Sequence, residues 1–428
     1  MATPVAAGDR ALYGHSVLMS FKVSAVALLT LVCALGGAMG SAEATVGSAD
    51  RSLSLPQALD GQATGVSLVA ATRKRGSETA GRAVVVIEGG GSTHPYTTPW
   101  RACDGGRAAY VEGLIAAGLP VFTAPGFGIA STSTDGRTGC PRQPPLDVQW
   151  NTSSYATQAG QAVLGFLGYL HAAYGYRTFD LVGYSYGGLV ARATVAALQQ
   201  QPDPASMAPA FSYATAAVRA GIRIPSITTI NSPHLGSPTY DVAEDPAAFR
   251  RPVAAAWGTQ FAEAGMGLFS FEHVGGAGAI HVLKTDGHAK PNPQSWDAQQ
   301  VGVLDDVALT LIAGDYCGRS CGDANTPPDG EPKGRLRTDG TVPVYSQLML
   351  PCPAACPDPP GSVYLPPGML PARVVRKTFP TAHSTFVTKR LGLAADLSVA
   401  MNAPAIAYLE RSLLSRWRAA RAPLLPPS

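Results

Sequence analysis

Short runs of β-branched and apolar residues alternate with longer stretches of helical period along most of this chain. Residues 66–72 predict a weak first strand, 83–87 (AVVVI) a strong one, and 121–124 a third, after a helical stretch over 107–117. Residues 179–182, 224–230 (IPSITTI), 307–313 (VALTLIA) and 374–378 (VVRKT) bring the expected sheet to at least seven strands. Apolar runs without polar alternation belong to parallel strands covered on both faces, and parallel neighbours need helical crossovers between them. Over 154–174, Ala159, Val163, Phe166, Leu167 and Leu170 recur at i, i+3, i+4 spacing, which predicts a helix packing one face on the sheet. The strand rhythm stops between 238 and 300, where Ala, Gly and Phe dominate. That segment predicts an insertion over the C-terminal edge of the sheet, either a plain helical excursion or a cap over a cleft. Residues 315–337, rich in Gly, Pro and Asp, predict an exposed loop.

The start of the chain stands apart from this pattern. Residues 21–39 (FKVSAVALLTLVCALGGAM) carry one cation, Lys22, then an apolar stretch, and Ala42-Glu43-Ala44 follows as an A-x-A triplet. The arrangement reads as a secretory signal peptide over 1–44, with Met19 offering a more compact start. Its alternative is an uncleaved anchor, because about 17 apolar residues fall just short of a bilayer span; the small residues at its end favour cleavage. No later segment reaches transmembrane length. Of the seven cysteines, Cys33 lies inside the signal, which leaves six: Cys103, Cys140, Cys317, Cys321, Cys352 and Cys356. An even set in a secreted chain predicts disulfides, whose pairing the sequence leaves open. Neither C-x-x-x-C has a His at ligand spacing, so zinc is disfavoured.

Length, 428 residues with 46% hydrophobic and 14% charged, fits globular domains and not a disordered tract. A net charge of +3 without runs of one sign gives no phosphate-backbone footprint, so nucleic acid is not an expected partner.

The chemistry enters at Gly183-Tyr184-Ser185-Tyr186-Gly187, a G-x-S-x-G. In a chain with 47 glycines that pattern alone is weak, and Gly318-Arg319-Ser320-Cys321-Gly322 matches it too. Context separates the two. Ser320 is followed by DANTPPDG, which cannot start a helix, whereas Ser185 stands between an apolar strand and the helix-competent LVARATVAAL. A sharp strand-to-helix bend presents a serine hydroxyl, its glycines avoid clashes, and the helix start favours developing negative charge.

FDLVGYSYGGLVARA, with TTINSPHLGSP (228–238) and TDGTVPVYS (338–346), resembles the secreted lipases of the α/β-hydrolase superfamily over roughly residues 83–390. The resemblance implies an α/β-hydrolase fold over 45–428: a mostly parallel central sheet flanked by helices, with a cap or lid insertion at about 238–300. A serine hydroxyl needs an imidazole to take its proton, and the imidazole needs a carboxylate to hold its tautomer. Chain order in this fold is Ser, acid, His. His383 is the one histidine of eight that follows the last strand candidate, and it is the expected base. Two acids compete: Asp315 directly ends its strand, while Asp339 sits in the lipase-like TDGTVPV segment and is favoured by motif and order. The P-H-x-G histidine, His234, is implied to be structural. Backbone N–H groups of Tyr186 and Gly90 are the expected oxyanion donors, although Glu88-Gly89 replaces the His-Gly usual at that strand end in lipases. A phosphate-cradling reading of Gly89-Gly90-Gly91 lacks the G-K-[ST] that should follow.

The expectation is a secreted or periplasmic serine hydrolase acting on carboxylic esters, with acyl esters of lipids, at a lipid–water interface, implied by the resemblance and the apolar insertion. An acyltransferase of the same fold, a peptidase or amidase, and a catalytically silent binding protein are the alternatives. No cofactor is expected; whether calcium binds, as in some related lipases, is left open.

Overall fold

The computed structural model describes residues 81–90, 109–127, 150–151, 154–200, 217, 220–237, 295–316, 337–351, 365–390 and 392–420. All lie in the unit Asp60–Ser428, the larger of the two compact units of the chain. Residues 1–44, the strand candidate 66–72, the seven cysteines, Ser320 and residues 238–294 of the expected insertion fall outside the described residues.

Six of the seven expected strands pair into one sheet: β1 (Arg82–Ile87), β2 (Val121–Thr123), β5 (Thr178–Tyr184), β6 (Arg223–Ile230), β7 (Ala308–Gly314) and β8 (Val374–Phe379). Their order is β2-β1-β5-β6-β7-β8, parallel throughout. A separate parallel pair, β3 (Gly126–Phe127) with β4 (Trp150–Asn151), is too short for its sequence to signal. The helices are α1 (Ala109–Ala116), α2 (Ala156–Tyr174), α3 (Gly187–Gln199), the single turns α4 (Trp296–Gln299) and α5 (Val344–Gln347), α6 (Thr385–Arg390) and α7 (Ala403–Ala419).

Alternation along each strand divides the core in two. Ala83, Val85 and Ile87 of β1 face one way, with Leu181, Leu309 and Leu311, against α2 and α3. Val84 and Val86 face the other way, with Val182 and Ile312, against α1 and α7. The five apolar residues that predicted α2 are all buried in the first of these layers. This is a helix–sheet–helix sandwich, as parallel strands covered on both faces require. β8 departs from that rule: Val375, Arg376 and Lys377 are exposed, because β8 is an edge of the sheet, where charged side chains also discourage pairing with another chain.

One buried carboxylate ties the layers together. Asp180 of β5 accepts from Arg82 Nε (2.7 Å) and Nη2 (2.9 Å), the Ser226 hydroxyl (2.5 Å) and Trp417 Nε1 (2.6 Å). Strands β1, β5 and β6 and helix α7 thereby meet at one group whose charge is fully hydrogen-bonded.

Candidate active site

β5 enters the core, and after Tyr184 the chain turns sharply into α3. Ser185 occupies the bend at φ 51°, a left-handed conformation that a side-chain-bearing residue adopts at a cost of order 1–3 kcal/mol. Its N–H donates to Ile230 O at 2.8 Å, which fastens the bend to the end of β6. The flanking glycines are needed for close approach. A Cβ on Gly183 would meet Gly187 O at 2.5 Å, and one on Gly187 would meet Ile87 O at 2.1 Å. Strand, bend and helix can therefore lie this close only without those side chains.

Two further segments converge on the bend. His383 follows β8, and its Nε2 lies 3.0 Å from Ser185 Oγ. Asp339 follows β7 after the 315–337 excursion, and its Oδ2 lies 2.7 Å from His383 Nδ1. The second carboxylate oxygen, Oδ1, accepts the N–H groups of Thr341 (2.9 Å) and Val342 (2.7 Å), so the acid is aimed by its own turn. His383 N–H also donates to Asp339 O at 2.8 Å, which joins the two loops through the backbone. Ser185, His383 and Asp339 are all buried.

Gln347 of α5 braces the acid turn. Its amide donates to Val342 O (2.7 Å) and Gly314 O (3.2 Å) and accepts from Gly314 N–H (2.8 Å), locking the turn to the end of β7. The segment after β6 adds two bonds: the Ser237 hydroxyl donates to Thr341 O (2.6 Å), and Leu235 N–H donates to Ser346 Oγ (3.0 Å).

The competing acid lies close by but is turned elsewhere. Asp315 N–H donates to Phe379 O at 2.8 Å, while its carboxylate takes Arg337 Nε at 2.7 Å and is also bridged by Arg337 Nη2. Burial lifts the Asp315 carboxyl above its ordinary range, Arg337 pulls it back, and the neighbouring Asp339 charge lifts it further. His234 also lies apart from Ser185. Its Nε2 is 3.0 Å from Thr229 Oγ1 and its Nδ1 is 3.5 Å from Nη1 of Arg192, a buried cation on α3. Burial lowers the Arg192 guanidinium to about 10, against the pull of Asp297.

At the end of β1, Gly89 closes on the bend. A Cβ there would meet Ser185 Cβ at 3.1 Å and Oγ at 3.5 Å. Gly90 follows it and is exposed. Tyr186 precedes the first turn of α3; its buried phenol, raised well above its ordinary pKa by desolvation, donates to Ser154 O at 2.6 Å. Glu88, in place of the lipase-like histidine, is buried and accepts the Tyr110 hydroxyl at 2.8 Å.

Tyr184 and Gln347 were not among the residues singled out from sequence. Tyr184 stood inside the G-x-S-x-G as a variable position, and Gln347 lies one residue past TDGTVPVYS, with nothing in its type to mark it. Among the described residues, no group of three or more His, Cys, Asp or Glu could hold a metal ion, and no helix is long and apolar enough to cross a membrane.

Residues 157–279 match the family described as "Putative serine esterase (DUF676)". No curated protein matches the chain. Among solved structures, the mature form of lipase BlEst2 from Bacillus licheniformis aligns at 13% identity over 77% of this chain and 92% of that one, with a TM-score of 0.38. Lipase 1 from Pelosinus fermentans aligns at 15% identity over 78% and 99%, TM-score 0.35. The RedJ thioesterase of the prodiginine pathway in Streptomyces coelicolor aligns at 15% identity over 77% and 86%, TM-score 0.31. Likenesses this distant say nothing of substrate. The strand order and the strand–bend–helix at Ser185 give this chain the architecture of an α/β-hydrolase fold, and residues 157–279 within it are similar to the serine esterase family.

Proposed function

We propose that this protein is a secreted serine hydrolase that cleaves carboxylic esters, acyl esters of lipids first among them. The observation that carries the reading is the unbroken line from Ser185 Oγ to His383 Nε2 (3.0 Å) and from His383 Nδ1 to Asp339 Oδ2 (2.7 Å). Within it, Ser185 Oγ attacks the ester carbonyl as His383 Nε2 takes its proton. Asp339 holds the proton on Nδ1 and stabilises the imidazolium that forms. The tetrahedral oxyanion is held by main-chain N–H groups of Gly90 and Tyr186, beside the positive end of α3. Its collapse expels the alcohol, which takes the proton from His383 and leaves Ser185 acylated. Water, deprotonated by the same imidazole, then releases the acid.

The lipid preference rests on the sequence resemblance and the apolar segment at 238–300, and secretion rests on residues 1–44. A fluorophosphonate probe together with short- and long-chain p-nitrophenyl esters tests the proposal. Wild type is expected to label at Ser185 and turn over esters, and Ser185→Ala to do neither. Undiminished turnover by Ser185→Ala would overturn it.

A further inference from the structure

We propose that Tyr184, the residue before the nucleophile, is a positioning residue for the base: its phenol fixes His383 through the main-chain carbonyl of that residue. The inference rests on reading Ser185, His383 and Asp339 as the reacting groups. Tyr184 Oη donates to His383 O at 2.5 Å, and the two rings lie 5.6 Å apart between centroids at an interplanar angle of 36°.

His383 is held from the acid side as well. Its N–H and its imidazole Nδ1 both bind Asp339, whose turn is braced on the end of β7 through Gln347, so those bonds reference the base to a different strand from the one that carries Ser185. The bond from Tyr184 adds a direct grip from the strand that presents the nucleophile. Tyr184 is the last residue of β5, a central strand, and Ser185 is the next residue along the chain. One rigid strand end therefore carries both the nucleophile and the post that grips the base. The phenol is itself steadied from β1 and α1: the Tyr110 ring lies 6.3 Å from that of Tyr184, and the Tyr110 hydroxyl donates to Glu88 at 2.8 Å. Following His383, the Ser384 hydroxyl accepts Val387 N–H at 3.3 Å and starts α6, so the gripped peptide is the hinge between the base and that helix.

Tyr184→Phe keeps the ring and removes the hydrogen bond to His383 O. Losing a neutral hydrogen bond that holds a reacting group in line is expected to lower both kcat and the fluorophosphonate labelling rate about 3- to 10-fold, with KM changed by less than about two-fold. Three measurements on the full chain separate positioning from folding: the end point of labelling, the thermal midpoint, and the downfield Nδ1 proton of His383 by NMR. End-point labelling equal to wild type, slower labelling and faster exchange of the Nδ1 proton support the proposal. A folded variant whose labelling rate and Nδ1 proton match wild type overturns it, as does a lowered midpoint with unchanged per-site rates. An unlabelled wild type overturns the functional reading alone, because the Nδ1 proton still reports whether the variant loosens His383 from Asp339.

Discussion

Asp339→Asn tests the acid at the level of a single proton. In the native site Oδ1 accepts two backbone N–H groups, at 2.9 and 2.7 Å, and Oδ2 faces His383 Nδ1 at 2.7 Å. The amide of an asparagine has one acceptor and one donor end. Two fixed N–H groups compel its oxygen into the Oδ1 place, so its NH2 points at His383. Two donors cannot share that line, and the imidazole must carry its hydrogen on Nε2, where it can donate to Ser185 Oγ but cannot take its proton. A wrong tautomer with intact geometry costs about 10,000-fold in kcat, or about 5 kcal/mol of barrier. The side chains are nearly isosteric, so the loss should come without a comparable fall in thermal midpoint. Initial rates on a p-nitrophenyl ester, normalised to folded protein by circular dichroism, measure it, with Asp315→Asn run alongside. Asp315 is bridged by Arg337 and makes no bond to His383, so that variant should stay within about ten-fold of wild type. A loss in Asp315→Asn as deep as in Asp339→Asn, or an Asp339→Asn enzyme within ten-fold of wild type, refutes the reasoning.

Asp180→Ala strands three donors, the Arg82 guanidinium, the Ser226 hydroxyl and the Trp417 indole, in the core. Breaking such a buried pair costs about 3–5 kcal/mol, readable in urea melts followed by tryptophan fluorescence; a change below about 1 kcal/mol would mean the cluster adds little. For Asp315, burial raises the folded-state carboxyl above its unfolded value, so the folded protein binds that proton more tightly. The group's contribution to stability therefore falls as pH rises from the ordinary carboxylate range through the raised value. Asp315→Asn should lose stability less steeply than wild type over this window in melts at stepped pH, and a variant with the steeper fall would contradict the assignment.

How much of this was legible beforehand differs by element, for physical reasons. Five of the six strands and the buried stripe of α2 were written in local pattern, because a strand buried on both faces is dominated by apolar and β-branched residues and a half-buried helix must repeat every three or four residues. The bend at Ser185 was legible too, since only glycines allow Gly183 and Gly187 to lie so close to strand and helix. The exposure of β8 was not, because a strand's own residues do not say that it ends the sheet.

What the sequence by itself determined is the layered α/β framework and a serine presented between strand and helix, since both depend on neighbours within a few positions. Which carboxylate meets His383 was decided only in three dimensions: Asp315 and Asp339 both follow β7, but Arg337 takes the first and the turn at Thr341 and Val342 aims the second. The grips of Tyr184 on the base and of Gln347 on the end of β7 belong to the same class. They join residues separated by loops whose length the chain states but whose path it does not, so only the assembled sheet brings donor and acceptor together.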